Sequence, residues 1–360
     1  MTEFQSASGT GPDWLTACDA CIAELKARST SANLGFVYAS DPLAHALDHI
    51  AERLKDATGI DVWVGSGGVG VCTGSQGVFD NGAIVALAAT LPPDEFQVFN
   101  GIFDEHDQQR RLTANGKSAR FGIVHGDPRQ TKTPAMIEQL STRSSAFLVG
   151  GLTSAIGNGA MQIAGGPTEG GLSGVLMSDD IPMITGLTQG CTPIGPTREV
   201  TAMDGPWIEA LDNEPALEVL KRDVGPILAK NPGRMAGFIL AARSNGNGSE
   251  GDYLVRDLGE SDTIRQLIMV GDDMKRGDRL CFVKRDPEGA RADLRRLTAD
   301  LRKRADGRPI LGALYHSCLA RGRHMFGTDS TELFMIEEEL GQIPLAGLFT
   351  NGEIFRNQLY

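Results

Sequence analysis

Two segments near the end of the chain carry the residues best suited to chemistry. LGALYHSCLARGRHMFG (311–327) holds His316, Cys318 and Arg321, and IPLAGLFTNGEIF (343–355) closes on Asn351 and Glu353. Each is an apolar run that stops at small, polar or charged residues, the pattern of a buried strand whose end opens onto a site. In an extended strand His316 and Cys318 project to the same face, and Arg321 and Arg323 nearby would favour a thiolate. Three chemistries fit: a Cys318 nucleophile with His316 as base, a redox-sensitive thiol, or a thiol lining a ligand pocket. Free cysteine is among the most commonly buried residue types, and the weight falls on pocket lining.

Other candidates divide into polar breaks and weak motifs. Gln189-Gly190-Cys191-Thr192-Pro193-Ile194-Gly195 follows an apolar run, and its polar side chains can hydrogen-bond a ligand where Gly and Pro fix the turn. Gly65-Ser66-Gly67-Gly68-Val69-Gly70 matches GxGxxG after a strand. A dinucleotide site needs a helix next, and VCTGSQGVFDNG reads as turn and strand. The motif is read instead as a tight glycine turn presenting backbone N–H groups. Gly171-Leu172-Ser173-Gly174-Val175 lacks the last glycine of a nucleophile elbow. His45 and His49 lie on the acidic face of a helix opposite its leucines, and Cys18 with Cys21 falls inside a helix, so both pairs read as structural.

The elements that position these residues alternate along the chain. LGFVYAS, a helix from Asp41-Pro42 to Gly59, and IDVWVG form a βαβ unit, followed by GAIVALAAT and EFQVFNGIF as a hairpin about Pro-Pro-Asp. RFGIVHG, TPAMIEQLST and SAFLVGG repeat the unit, with GGLSGVLMSDDIPMITGL as a second hairpin about Ser-Asp-Asp. Gly65 and Gly150 end equivalent strands 85 residues apart, which suggests internal duplication with thin residue identity. Further on, AGFILAAR, TIRQLIMV, RLCFVKR, GALYHSC and IPLAGLF read as strands, and 286–304 and TELFMIEEEL as helices. The expected fold is α/β with mixed sheets and flanking helices, in two α/β halves. The division is a helical extension over 1–33, one domain over 34–225 and another over 226–360.

Composition narrows the class. Apolar residues at 41% and charged residues at 22% describe a globular chain, and a net charge of −12 argues against unspecific nucleic-acid binding. Arg295, Arg296, Arg302, Lys303 and Arg304 on one helix read as a solvated face. No apolar run approaches the roughly 20 residues of a membrane span, and MTEFQSASGTGPDW lacks the features of a signal peptide. Six scattered cysteines suit reduced thiols, so the expected compartment is the cytoplasm.

Together WVGSGGVG, QGCTPIG, REVT, DNEPALEVL, SCLARG and PLAGLFTNGEI resemble the FIST family, a two-part sensory domain of bacterial signalling proteins and some F-box proteins. Residues 1–33 lie outside the resemblance, and relatives usually continue beyond the position of Tyr360 with one more strand, as expected of a truncated chain. The resemblance implies a non-enzymatic module that binds a small polar ligand, with amino acids among those proposed. Its pocket would use Ser66, Gly67, Gln189, Cys191, Cys318, Arg321, Asn351 and Glu353. No kinase-, cyclase- or DNA-binding-like segment is read here, so the output is expected from a partner on a separate chain. Some relatives are haem-based nitric-oxide sensors. His125, His316 and His324 are conceivable axial ligands, held without covalent attachment because CxxCH is missing.

Overall fold

The computed structural model describes residues 3–26, 31–79, 81–101, 114–156, 161–225, 237–244, 253–271 and 273–360. Its contacts divide the chain into two compact units, Met1–Leu187 with Leu294–Tyr360, and Thr188–Asp293. The turn-rich stretch VGPILAKNPGR, where the sequence suggests a boundary, lies almost wholly outside the described residues.

Up to Leu187 the strands are β1 (Glu3–Thr10), β2 (Leu34–Ser40), β3 (Val62–Gly68), β4 (Gly70–Thr73), β5 (Gln76–Phe79), β6 (Ala83–Thr90) and β7 (Phe96–Phe99), then β8 (Ala119–Gly126), β9 (Phe147–Leu152), β10 (Met161–Ala164), β11 (Pro167–Glu169) and β12 (Leu172–Ser178). Helices α1 (Trp14–Lys26), α2 (Asp41–Ala44), α3 (Leu47–Thr58) and α4 (Thr133–Ser144) lie between them. Asp41-Pro42 starts α2 as the sequence indicates, and Gly59 ends α3 in the left-handed conformation at φ 74°.

The Thr188–Asp293 unit is built differently. Its strands are β13 (Cys191–Pro193), β14 (Arg198–Asp204), β15 (Trp207–Leu211), β16 (Glu214–Pro215), β17 (Ile239–Ser244), β18 (Tyr253–Asp262), β19 (Leu267–Val270) and β20 (Arg279–Arg285). The ladder runs β14-β15-β19-β18-β17-β20 and returns to β14, every pair antiparallel, so it closes on itself as a barrel. Val200, Ile208, Ile268, Leu280 and Phe282 fill its core together with Leu217 and Leu220 of α5 (Ala216–Val224).

Helix α6 (Pro287–Ala305) then leads to β21 (Ala313–Cys318), α7 (Arg323–Phe326), α8 (Thr331–Leu340), β22 (Leu345–Thr350), β23 (Glu353–Phe355) and β24 (Gln358–Leu359). These complete the first unit, which holds three sheets: β1-β6-β2-β3-β10-β11, β7-β12-β8-β9-β23-β24, and β21-β22-β4-β5. Each is built on one parallel pair, β2–β3, β8–β9 or β21–β22. The first two sheets share the same strand order and pairing sense. This is a likeness of topology and not a demonstration of duplication.

The hairpins are exchanged in a ring. The hairpin following β3 (β4–β5) joins β22, the one following β9 (β10–β11) joins β3, and the one following β22 (β23–β24) joins β9. No sheet is therefore complete from contiguous chain. Both sequence-predicted hairpins are corrected here. GAIVALAAT and EFQVFNGIF enter different sheets, β6 beside β1 and β2 and β7 beside β12, and the stretch after Ser-Asp-Asp is not a strand. Local apolar patterning marks a strand but not its partner, and the long-range partners won.

Inner faces of the three sheets meet in one core that includes Phe36, Val64, Val71, Ile123, Val175 and Leu348. Outer faces are covered by helices: α1 and α3 on the first sheet, α4 on the second, and α6 with α8 on the third. Cys18 and Cys21 are fully buried under the first sheet, as expected for packing residues. Burial pushes the Cys18 thiol up to about 12 and raises those of Cys21 and Cys72 further.

A glycine pinches each parallel pair at the same register. Gly65 faces Val37, Gly150 faces Val124 and Gly347 faces Tyr315, and a Cβ at any of them would fall on the facing carbonyl oxygen. Gly347→Ala should therefore lower unfolding free energy by roughly 2–4 kcal/mol. In the same urea titration Gly166→Ala, whose Cβ would meet only Asn100 Nδ2 at 3.9 Å, should stay within about 0.5 kcal/mol of the parent. With an aromatic disulfide reagent, Cys18, Cys21 and Cys72 should react only as fast as the protein unfolds, well behind the half-buried Cys191, Cys281 and Cys318.

Candidate functional site

Side chains alternate along a strand, so a register assigns each residue to a face. Phe36 on β2, Ile123 on β8 and Leu314 on β21 belong to the shared core. Two positions further, on the same faces, come Tyr38, His125 and His316. The Tyr38 hydroxyl lies 3.2 Å from His125 Nε2 and 3.2 Å from His316 Nε2. Their ring centroids form a near-equilateral triangle with sides of 5.5, 5.8 and 5.8 Å. One side chain from each sheet thus converges on a point near the carboxyl ends of the parallel strands.

Burial sets the charge state of this triad. It pushes His125 down to about 3, assisted by the neighbouring His316, pushes His316 down to about 4, and holds the Tyr38 phenol protonated. Both imidazoles are neutral at physiological pH. His125 Nδ1 is buried without a partner, and an unpaired N–H costs more there than a bare acceptor. The proton therefore sits on His125 Nε2, which donates to the Tyr38 oxygen, and the Tyr38 O–H donates to His316 Nε2. With its Nε2 engaged and its basicity suppressed, His316 is a poor base for Cys318.

The same layer extends across the sheets. Tyr38 faces Ser66, which faces Gln162; His125 faces Gly151, which faces Glu353. Gln162 is fully buried, accepts from Ser173 Oγ at 2.7 Å and donates to the Gly171 carbonyl. Above an apolar core the molecule thus carries a polar floor of Tyr38, His125, His316, Ser66, Gln162, Ser173 and Glu353. The next positions on the same strand faces are Ser40, Cys318 and Thr350.

Charge is concentrated at the ends of β21 and β22. Arg321 is 6% exposed and its Nε donates to Glu332 Oε1 at 2.6 Å. Glu332, on α8, also accepts from Ser317 Oγ at 3.1 Å. Arg321 Nη2 stands 2.5 Å from the same Glu332 oxygen, an ion pair outside hydrogen-bond geometry, and the buried Tyr315 hydroxyl likewise makes no well-formed hydrogen bond. Thr350 Oγ1 lies 2.7 Å from Glu353 Oε1 and 3.2 Å from the Ser317 carbonyl oxygen. Desolvation raises Glu353 to about 7 against the opposing effects of the Thr350 hydrogen bond and of Arg321. One hydroxyl proton serves one acceptor. Ionised Glu353 takes it from Thr350, whereas protonated Glu353 donates its own and frees Thr350 for Ser317.

The sequence-predicted residues are placed as follows. Ser66, Cys318 and Glu353 share the polar face, and Arg321 lies beside Glu353. Gly67 sits in β3, its carbonyl accepting from Thr153 Oγ1 at 2.5 Å. Gly65 to Gly68 form strand and not a turn, and the first amide beyond them, Val69 N–H, donates to Ser154 Oγ at 2.9 Å. Asn351 is exposed, and its N–H donates to the Leu152 carbonyl at 3.2 Å. Gln189 and Cys191 belong to the barrel unit. There Gln189 Nε2 donates to the Tyr253 carbonyl at 2.6 Å, and the Cys191 carbonyl accepts from Tyr253 Oη at 3.0 Å.

Tyr38, Gln162, Ser173 and Glu332 were not anticipated. For Tyr38, Gln162 and Ser173 the signal is a polar residue near the end of an apolar strand, as in VYA and LSG, legible only once the sheets are assembled; Glu332, on a helix, carries no such signal. Haem does not fit His125, whose side chain is fully buried within a packed layer. The His324 side chain lies outside the described residues. A shallow cleft of about 300 Å³, lined by Phe121, Ser141, Phe147 and Asn357 among others, opens at the opposite ends of β8 and β9.

Profiles of two known domains match the chain in order, the FIST N domain over residues 33–214 and the FIST C domain over residues 216–356. Uncharacterized proteins of Mycobacterium bovis and Mycobacterium tuberculosis are 35% identical over 173 residues, 47% of this chain and 44% of each relative. A further uncharacterized protein of Mycobacterium tuberculosis is 34% identical over 175 residues, 47% of this chain and 45% of the relative. These matches span less than half the length of the curated relatives. No helix among the described residues is long and apolar enough to cross a membrane. Matched in order over nearly all of its length, the chain belongs to the FIST family, whose domains generally serve in sensing and signal transduction.

Proposed function

We propose that this chain is a cytosolic sensory protein that binds a small zwitterionic ligand, an amino acid being the simplest, at the polar floor of the three-sheet unit. Its output would pass to a partner protein on a separate chain. The observation that carries this reading is the unequal pairing at the ends of β21 and β22. Arg321 Nη2 retains unused donor capacity near a carboxyl, Glu353, that is half-ionised near neutrality. Buried polar atoms are nearly always satisfied, and a ligand is one partner that accounts for one that is not. A ligand carboxylate would take the spare donors and its ammonium group would take Glu353, both desolvated at the carboxyl ends of strands. Arg321 is already held by Glu332, so it enters as a fixed donor and not as a free cation.

A thermal-shift screen of amino acids and small acids should yield hits that stabilise the parent and lose most of that effect in Glu353→Gln and Arg321→Lys. Hits that stabilise all three proteins equally would move the site elsewhere, and a screen without hits would remove the reading. Affinity should also depend on pH. An ammonium ligand binds ionised Glu353, so affinity should rise up to about tenfold per pH unit below about 7 and level off above it.

Stability of the ligand-free protein should run the other way. Folded Glu353 keeps its proton to about pH 7, whereas the unfolded chain loses it near 4.5. Between those values the folded state binds more protons, so stability falls as pH rises. Since the residue is part-exposed, the fall attributable to Glu353 should be on the order of 2 kcal/mol between pH 5 and 8. Denaturant titrations at the two pH values should show that increment missing in Glu353→Gln.

A further inference from the structure

The meeting of Tyr38, His125 and His316 supplies more than a polar floor. Among the described residues no three His, Cys, Asp or Glu side chains gather as a metal site. Here two imidazoles gather with a phenol. Tyr38 Oη stands 3.2 Å from each Nε2. Donors bound to one tetrahedral zinc ion at about 2.0–2.1 Å lie roughly 3.3 Å apart, so the two oxygen–nitrogen spacings suit a single ion as well as a hydrogen bond, and the two imidazole rings are 5.8 Å apart between centroids. Each donor comes from the same register position of a separate parallel strand pair, opposite Ser66, Gly151 and Leu348 respectively.

We propose that Tyr38, His125 and His316 form a three-donor site, N,N,O, for one divalent first-row transition-metal ion. Imidazole and phenolate together suit zinc(II) or copper(II) better than the hard cations magnesium and calcium. On binding, each Nε2 gives its lone pair to the metal, and the Tyr38 O–H bond breaks heterolytically. The phenolate oxygen becomes the third donor and one proton leaves to solvent. The imidazole proton of His125 then moves to Nδ1, which has no protein partner, so the metal bond offsets the cost of that buried N–H. Ligating histidines commonly donate from that second nitrogen to a water or carbonyl. Its donors are not those of the zwitterion site, Arg321 and Glu353, although both sets lie on one polar floor, so loss of metal uptake in Tyr38→Phe and loss of ligand stabilisation in Glu353→Gln are read separately.

The test uses the full chain, stripped with a chelator, dialysed and titrated separately with zinc(II) and copper(II). Native mass spectrometry and metal analysis should find one ion per chain, and calorimetry in buffers of different ionisation enthalpy should find one proton released. Copper(II) should add a visible phenolate-to-copper absorption. Tyr38→Phe keeps the ring and its packing and removes only the donor oxygen. It should abolish the absorption and the proton release and weaken binding at least tenfold. His125→Gln should weaken binding comparably, while Cys281→Ser, on β20 of the barrel, should bind like the parent. Circular dichroism of each metal-free variant establishes that it folds, and a variant that fails to fold is replaced by His316→Gln. No uptake by the parent, or uptake undiminished in the folded variants, overturns the site.

Discussion

The first unit depends on one constraint, the circular exchange of hairpins among its three sheets. Each parallel pair is flanked by a hairpin that the chain builds after leaving a different pair. No sheet can therefore be completed by its own parallel pair and the hairpin that follows it; each needs the hairpin that follows another pair. The glycines at 65, 150 and 347 let each pair close, because a side chain there would strike the facing carbonyl. Once the ring is closed, the inner faces have no alternative partner, and apolar residues from all three sheets fill one core. Such long-range pairing is entropically demanding to form and correspondingly specific.

The polar floor is a consequence of that closure. Three strands ending on equivalent positions bring three side chains to a common point, and those side chains are Tyr38, His125 and His316. Burial then fixes their protonation, leaving two neutral imidazoles bridged by a phenol. Glu353 reaches the same layer because the hairpin following β22 pairs with β9 and not with its own sheet. Its carboxyl therefore loses solvation beside Arg321, a guanidinium already committed to Glu332. The arrangement places groups of opposite polarity at fixed positions, as recognition of a polar molecule requires.

Much of this was legible in the sequence at the level of elements. LGFVYAS, RFGIVHG, GALYHSC and IPLAGLF are strands, and Asp41-Pro42 starts a helix as its chemistry dictates. β1 was not legible, since SASGT is small and polar; it is a strand because β6 offers its edge. Pairing was the weakest level. GAIVALAAT and EFQVFNGIF look like a hairpin because the turn between them has turn chemistry, and nothing local reveals that they part. The same limit governs the site. Cys318, Arg321 and Glu353 announced themselves at strand ends, whereas Tyr38 and Gln162 look like chance polar residues in apolar strands. Glu332 could not be found at all, because a helical glutamate is ordinarily solvated, and only the fold buries it against Arg321.

The central claim is that three separate strand pairs converge on one buried, hydrogen-bonded triad. Nitrogen-15 NMR of the histidine side chains in metal-free protein tests it most directly. The account predicts that His125 and His316 stay neutral from pH 8 to pH 5, with the His125 proton on Nε2, and that Tyr38→Phe perturbs both rings. Two histidines that titrate near 6.5 and do not respond to Tyr38→Phe would contradict it.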